Sequence, residues 1–150
     1  MRTEPRLRLS LRLASASVIG LALAACGLLP TGQPGWVANR TPLDSCGEER
    51  QVRGDTDVEA RQCLLDAFEA GQAAELISTE AITEGREVTR YIRVHEDGTI
   101  EMLTDMTRDS LGPGGWKRET CGQLLSAEEV RDVWIEEVFV ILDCQDQPLP

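Results

Sequence analysis

Five cysteines, one histidine and a short run of aspartates are the residues of this chain whose types and spacing could do chemistry. The cysteines are Cys26, Cys46, Cys63, Cys121 and Cys144. None forms a Cys-x-x-Cys pair and no histidine cluster accompanies them, so their spacing does not suggest zinc or thiol-redox chemistry. Cys46, Cys63, Cys121 and Cys144 make an even set, which in an exported domain reads as two disulfides with three possible pairings. His95 precedes the turn Glu96-Asp97-Gly98, and a lone histidine at a strand end reads as surface rather than catalytic. No G-x-S-x-G elbow surrounds a serine. Gly112-Pro113-Gly114-Gly115 lacks the lysine and following helix of a phosphate-cradling loop. The expectation is a protein without catalysis and without a cofactor.

Asp105, Thr107 and Asp109 form the most suggestive polar cluster. Their carboxylates, with nearby backbone carbonyls, could hold a hard cation such as Ca²⁺, although the dense D-x-D-x-D-G pattern of a calcium loop is missing. The simpler reading is that they accept backbone N–H bonds and fix the turn before the glycine-rich loop. Met102 and Met106 share a strand parity near His95, a conceivable thioether copper(I) set whose ordinary use is core packing. Glu128, Glu129, Glu136 and Glu137 could serve acid–base work, but without a cleft residue beside them they read as a solvated helix face.

The remaining cysteine has a context of its own. Arg2, Arg6, Arg8 and Arg12 make a basic start, Leu13 to Ala25 an apolar run of 13 residues, and Leu23-Ala24-Ala25-Cys26 closes it. The run is well short of the roughly 20 residues that span a bilayer. This start resembles a bacterial lipoprotein signal, with residues 1–25 removed and Cys26 lipidated. The resemblance implies a lipid-anchored protein on the extracytoplasmic face of the cell membrane. Removal would take four Arg and one Glu, leaving 11 of 15 basic and 25 of 26 acidic residues, a net charge of −14. Nucleic acid is then an improbable partner.

Residues 26–45, with Pro30, Pro34, Pro42 and several glycines, read as the lipidated N-terminus and a flexible tether in which Trp36 is free to pack on the domain or touch lipid. Residues 46–150 suit a single domain. Thr56-Asp57-Val58-Glu59 has the form of a capping box, and Ala60, Cys63, Leu64, Ala67 and Phe68 share a helical face, predicting a helix from Asp57 to Ala70 with Cys63 pointing inward. Strands are expected over Ala74–Thr83, Glu87–His95, Thr99–Thr107 and Trp116–Cys121, with Asp97-Gly98 as a hairpin turn. Ser126-Ala127-Glu128-Glu129 repeats the capping-box form ahead of a helical stripe of Val130, Val133 and Trp134, predicting a short helix, and Val138–Leu142 reads as a closing strand. The expected class is α+β: one main helix packed on a four- to five-stranded antiparallel sheet, with two disulfides.

Ile82-Thr83-Glu84-Gly85, then Asp105-Met106-Thr107-Arg108-Asp109-Ser110-Leu111-Gly112, then Cys121 and Cys144, resemble a small domain of Gram-positive lipoproteins with a T-x-E-G … D-x-T-x-D-x-x-G … C … C pattern. Ile82 stands where that family has threonine, and Arg86-Glu87 where it has Asp-Pro. The resemblance implies an address and a compact fold, not an activity. It also implies the pairing Cys121 with Cys144, leaving Cys46 with Cys63. The expected role is an interaction module that binds an envelope protein, held to membrane lipid through Cys26. The alternative is a small-ligand or Ca²⁺-binding lipoprotein acting through the Asp105–Asp109 loop.

Overall fold

The computed structural model describes residues 32–52, 54–82, 86–130 and 138–150. It is mostly β. Six strands form one mixed sheet in the order β1-β2-β3-β4-β5-β8, and a two-stranded hairpin, β6-β7, stands apart from it. The strands are β1 (Asp44–Val52), β2 (Ala74–Ala81), β3 (Glu87–Val94), β4 (Ile100–Asp105), β5 (Trp116–Cys121), β6 (Gln123–Ser126), β7 (Phe139–Leu142) and β8 (Gln145–Asp146). Two short helices occur among the described residues: α1 (Gly35–Ala38) and α2 (Val58–Glu69).

This overturns the expected antiparallel sheet of four or five strands under one main helix. The reason lies in β1, whose sequence Asp-Ser-Cys-Gly-Glu-Glu-Arg-Gln-Val has no apolar alternation and so gives no strand signal. α2 carries the chain from the end of β1 back to its beginning, so β1 and β2 run parallel while every later neighbour in the sheet is antiparallel. A bulge between Ser45 and Glu48, with Gly47 at φ +103°, shifts the β1 register.

α2 begins one residue later than its sequence signature suggests. Asp57, not Thr56, is the cap, its carboxylate accepting the Ala60 N–H at 3.0 Å. The apolar stripe of α2 packs on one face of the sheet. Ala60, Leu64 and Leu65 meet Ala74, Leu76, Ile92, Val94 and Ile100, with Leu124 and Phe139 of the hairpin closing the same core. This is the inner face.

The disulfides are Cys46–Cys63 and Cys121–Cys144. Their settings differ. Cys121 is 4% exposed in the core, whereas Cys63 lies on the exposed flank of α2 rather than its inner face and ties the helix to the edge strand β1. Leu64 and Leu65, the next residues, take the inward positions.

Residues 32–43, part of the stretch that composition marks as a tether, cross the opposite, outer face of the sheet. Val37 of α1 is fully buried there. The Trp36 ring meets Trp116 edge-on at 5.9 Å, and Trp116 stacks with Tyr91 at 6.0 Å. Arg40 lies 4.5 Å above the Tyr91 ring and grips Glu75 with two bonds of 2.7 and 2.8 Å. Arg93 donates to Glu101 and to the Thr41 carbonyl at 2.6 Å each. This strap is folded structure, and Trp36 packs on the domain.

Candidate functional site

Glu49 and Arg61 make the most costly polar arrangement among the described residues. Glu49 sits on β1 opposite Ser78 of β2, facing the core, and Arg61 follows Ala60 in the first turns of α2. Their side chains are 1% and 6% exposed. Arg61 Nη2 donates to Glu49 Oε1 at 2.9 Å, and Nε approaches both carboxylate oxygens at 3.1 and 3.2 Å. Gln51 Nε2 donates to Glu49 Oε1 and to Ser78 Oγ, each at 3.0 Å. The Asp57 N–H at the start of α2 reaches Glu49 Oε2 at 3.0 Å. Burial alone would push the Glu49 carboxyl up, but hydrogen bonds from Arg61, Ser78, Gln51 and Asp57 together hold it below the usual carboxylate range. Opposite charges removed from water persist only when so fully satisfied.

A cleft of about 350 Å³ opens beside this pair. Gln51, Arg61 and Ser78 form its polar floor, Ile92, Met102 and the Phe139–Ile141 strand its apolar walls, and Glu80 and Arg90 its rim. The rim pair is partly exposed, with Arg90 Nη1 3.0 Å from Glu80 Oε2. Arg61 also lies 5.4 Å from the Phe139 ring. Its volume is at the small end of the range for ligand sites, and its lining mixes apolar walls with polar groups. Ser78 is the one hydroxyl among the lining residues, 1% exposed and already bonded to Gln51, so it is poorly placed to act as a nucleophile. Its floor groups are already bonded to one another, so what it offers a partner group is apolar contact along its wall and the partly exposed Glu80–Arg90 pair at its rim.

The residues that the sequence singles out lie elsewhere. Asp105 Oδ1 accepts from the Thr107 N–H at 2.9 Å and the Thr107 hydroxyl at 2.7 Å. Asp109 Oδ1 accepts from the Leu111 N–H at 3.2 Å and pairs with Arg86 at 3.2 Å. Partial desolvation pushes the Asp109 carboxyl up, but the Leu111 and Gly112 N–H groups and Arg86 hold it below its ordinary value. Both carboxylates are thus engaged in shaping the loop. Gly112 passes so close that a Cβ there would meet Asp109 Oδ2 at 2.3 Å. No group of three or more His, Cys, Asp or Glu is placed to share a metal ion among the described residues.

His95 is at the end of β3, its Nε2 3.8 Å from Glu101 Oε2, with its N–H bonded to the Thr99 carbonyl across the Gly98 turn. Met102 packs against the core, whereas Met106 lies beyond the end of β4. Glu129 accepts from the Ser126 N–H at 2.8 Å and hydroxyl at 2.9 Å, but Ser126 ends β6 and Ala127–Glu129 form a turn where the sequence suggests the start of a short helix, the rest of which lies outside the described residues. Glu136, Glu137, Trp134, Cys26 and the Thr83-Glu84-Gly85 turn lie outside the described residues.

Sequence reasoning misses Glu49, Gln51, Arg61, Ser78 and the cleft they floor. One signal was present: Arg61 interrupts an otherwise apolar helical stripe between Ala60 and Leu64, and an inward arginine demands a buried partner. Glu49, in a strand without apolar alternation, offered none. Comparison of the chain with family models, with curated proteins and with solved structures finds no match.

Proposed function

We propose that this chain is an exported lipoprotein, anchored to the extracytoplasmic face of a membrane through acylated Cys26, whose disulfide-stapled domain binds another envelope component without catalysing a reaction. The observation that carries this reading is the cysteine account. Two closed disulfides use Cys46, Cys63, Cys121 and Cys144, and the single cysteine left over, Cys26, is the one that ends an apolar, arginine-headed segment in Leu-Ala-Ala-Cys. Paired structural cysteines suit an oxidising compartment, and a cysteine in that context suits acylation. The cleft beside Glu49 and Arg61 gives such a module a place to hold a partner.

Metabolic labelling with a clickable fatty acid tests the anchor. Wild type should carry label and partition with membranes, and Cys26→Ser should lose both. A Cys26→Ser protein that stays membrane-bound would refute it. In-cell crosslinking with affinity capture tests the module: one dominant envelope partner is expected, and its absence would sink the interaction reading.

A further inference from the structure

We propose that the outer edge of β7 is the docking strand, and that its partner is an extended polypeptide segment that pairs with it and lays side chains into the neighbouring cleft. The inference names the partner class of the interaction module and rests on that reading, though not on the anchor.

The main-chain geometry comes first. The Ala127 N–H bonds to the Val138 carbonyl at 3.0 Å and the Gly122 N–H to the Leu142 carbonyl at 3.2 Å. Both bonds turn the even-numbered residues of this strand toward β6. Main-chain groups alternate in an antiparallel pair, so those of Phe139 and Ile141 face the other way. Among the described residues, β7 has β6 as its one strand neighbour. Phe139, Val140 and Ile141 all line the cleft, so that edge borders it.

The composition of the edges is a second, independent observation. Proteins guard exposed strand edges with charges, bulges, proline or brevity. β1, the long edge of the main sheet, carries Asp44, Glu48, Glu49 and Arg50 and is broken by the bulge at Gly47. β8, the opposite edge, is two residues long and lies just ahead of Pro148. β7, four residues long, has no charge, bulge or proline: Phe139-Val140-Ile141-Leu142 is apolar throughout, and Leu142 is 39% exposed. β6, the other edge of the hairpin, is blocked at Ser126, whose N–H bonds to Glu129 and whose carbonyl accepts from the Glu129 and Val130 N–H groups. Of the four edges, the β7 edge is the one without such a block among the described residues.

The cleft supplies what strand pairing alone lacks. In recognition by strand addition, backbone bonds give affinity and pockets for alternate side chains give selectivity. An apolar side chain of the incoming strand would rest on Ile92, Met102 and Phe139. A charged one would meet the rim, where Glu80 and Arg90 offer either sign at partly exposed positions.

Panning a random-peptide display library against the full chain, then titrating an enriched synthetic peptide under hydrogen exchange, tests this. Enriched peptides should alternate β-branched or aromatic residues with polar ones. Added peptide should slow exchange at the Phe139 and Ile141 amides while leaving Val140 and Leu142 unchanged. N-methylating the peptide at alternate residues should weaken binding by roughly tenfold or more, because it removes backbone donors while keeping the side chains. Ile141→Pro removes an outward donor and should do the same with its melting temperature preserved. Should that variant fail to fold, the N-methylated peptide decides. Indifference to N-methylation, or protection elsewhere on the chain, would overturn the proposal. A concentration-dependent dimer abolished by Ile141→Pro would also overturn it, by assigning the edge to a second copy. If crosslinking captures an envelope partner equally well with Ile141→Pro, the edge proposal fails and the module stands; if no partner is captured at all, the module fails with it.

Discussion

The two faces of the six-stranded sheet are closed by different physics. The inner face is apolar and is sealed by α2 and the β6-β7 hairpin, with one buried ion pair, Glu49–Arg61, set at its margin. The outer face is lined by Glu75, Tyr91, Arg93, Glu101, Trp116 and Arg118, and a strap of irregular chain seals it through aromatic contacts and charge-assisted bonds. The contrast shows that a short, glycine- and proline-bearing segment can act as a second layer when a few side chains, here Val37, Trp36 and Arg40, are well placed. The inner layer depends on volume and the outer one on partner geometry.

If that division is right, the largest single loss should come where a charge is buried in the apolar layer. Arg61→Ala should cost about 4 kcal/mol in urea unfolding, because it strands the Glu49 carboxylate. The double variant Arg61→Met/Glu49→Leu should recover most of that loss. A double variant no better than Arg61→Ala would mean that the pair itself, not the desolvated charge, decides stability. Leu64→Ala, a volume change in the same layer, should cost about 3 kcal/mol. On the outer face, Val37→Ala should cost about 2 kcal/mol and Glu75→Gln a similar amount, with near-ultraviolet circular dichroism reporting loosened Trp36 and Trp116. An outer loss equal to that of Leu64→Ala would break the distinction between the faces. The smallest effect belongs to the partly exposed rim: Glu80→Gln should change stability by less than about 0.5 kcal/mol.

Acidity separates the layers in another way. The Glu49 carboxyl is held below its ordinary value of 4.5, so the stability it contributes is complete above that value. That contribution is lost as pH falls through the lower value of the folded state. Glu49→Gln should therefore lower the plateau of melting temperature against pH while flattening its acid limb. An unchanged acid limb would show that other carboxylates govern acid unfolding.

Legibility in the sequence followed the same division. α2 and β3 were readable because their inward residues recur at helical or alternating spacing: Ala60, Leu64 and Phe68 on one helix, Val88, Ile92 and Val94 along one strand. β1 and the strap were not. β1 turns Glu49 inward, and the strap is anchored by isolated residues, so neither has a period to detect. Losing β1 meant losing the parallel pairing; the two-residue β8 was missed as well, and β7 pairs with β6 instead of closing the main sheet, so the fold class was lost with them. The disulfide partners agree with a pairing that a family resemblance implied and that spacing alone had left open. Of the cleft, Arg61 left a trace in the sequence, whereas β7 was visible as a strand but not as an edge.

The strap has a geometric consequence for an anchored molecule. Six residue steps separate Cys26 from Gly32, the first described residue. A chain of that length reaches no more than about 20 Å. Gln33 and Trp36 are bonded to Tyr91 and packed on Trp116, so the described chain begins on the outer face. A domain held that closely by one face cannot tumble freely over the bilayer. With Cys26 acylated as we propose, the outer face would turn toward the lipid, and the β7 edge with its cleft, on the far side of the sheet, would be presented away from the membrane.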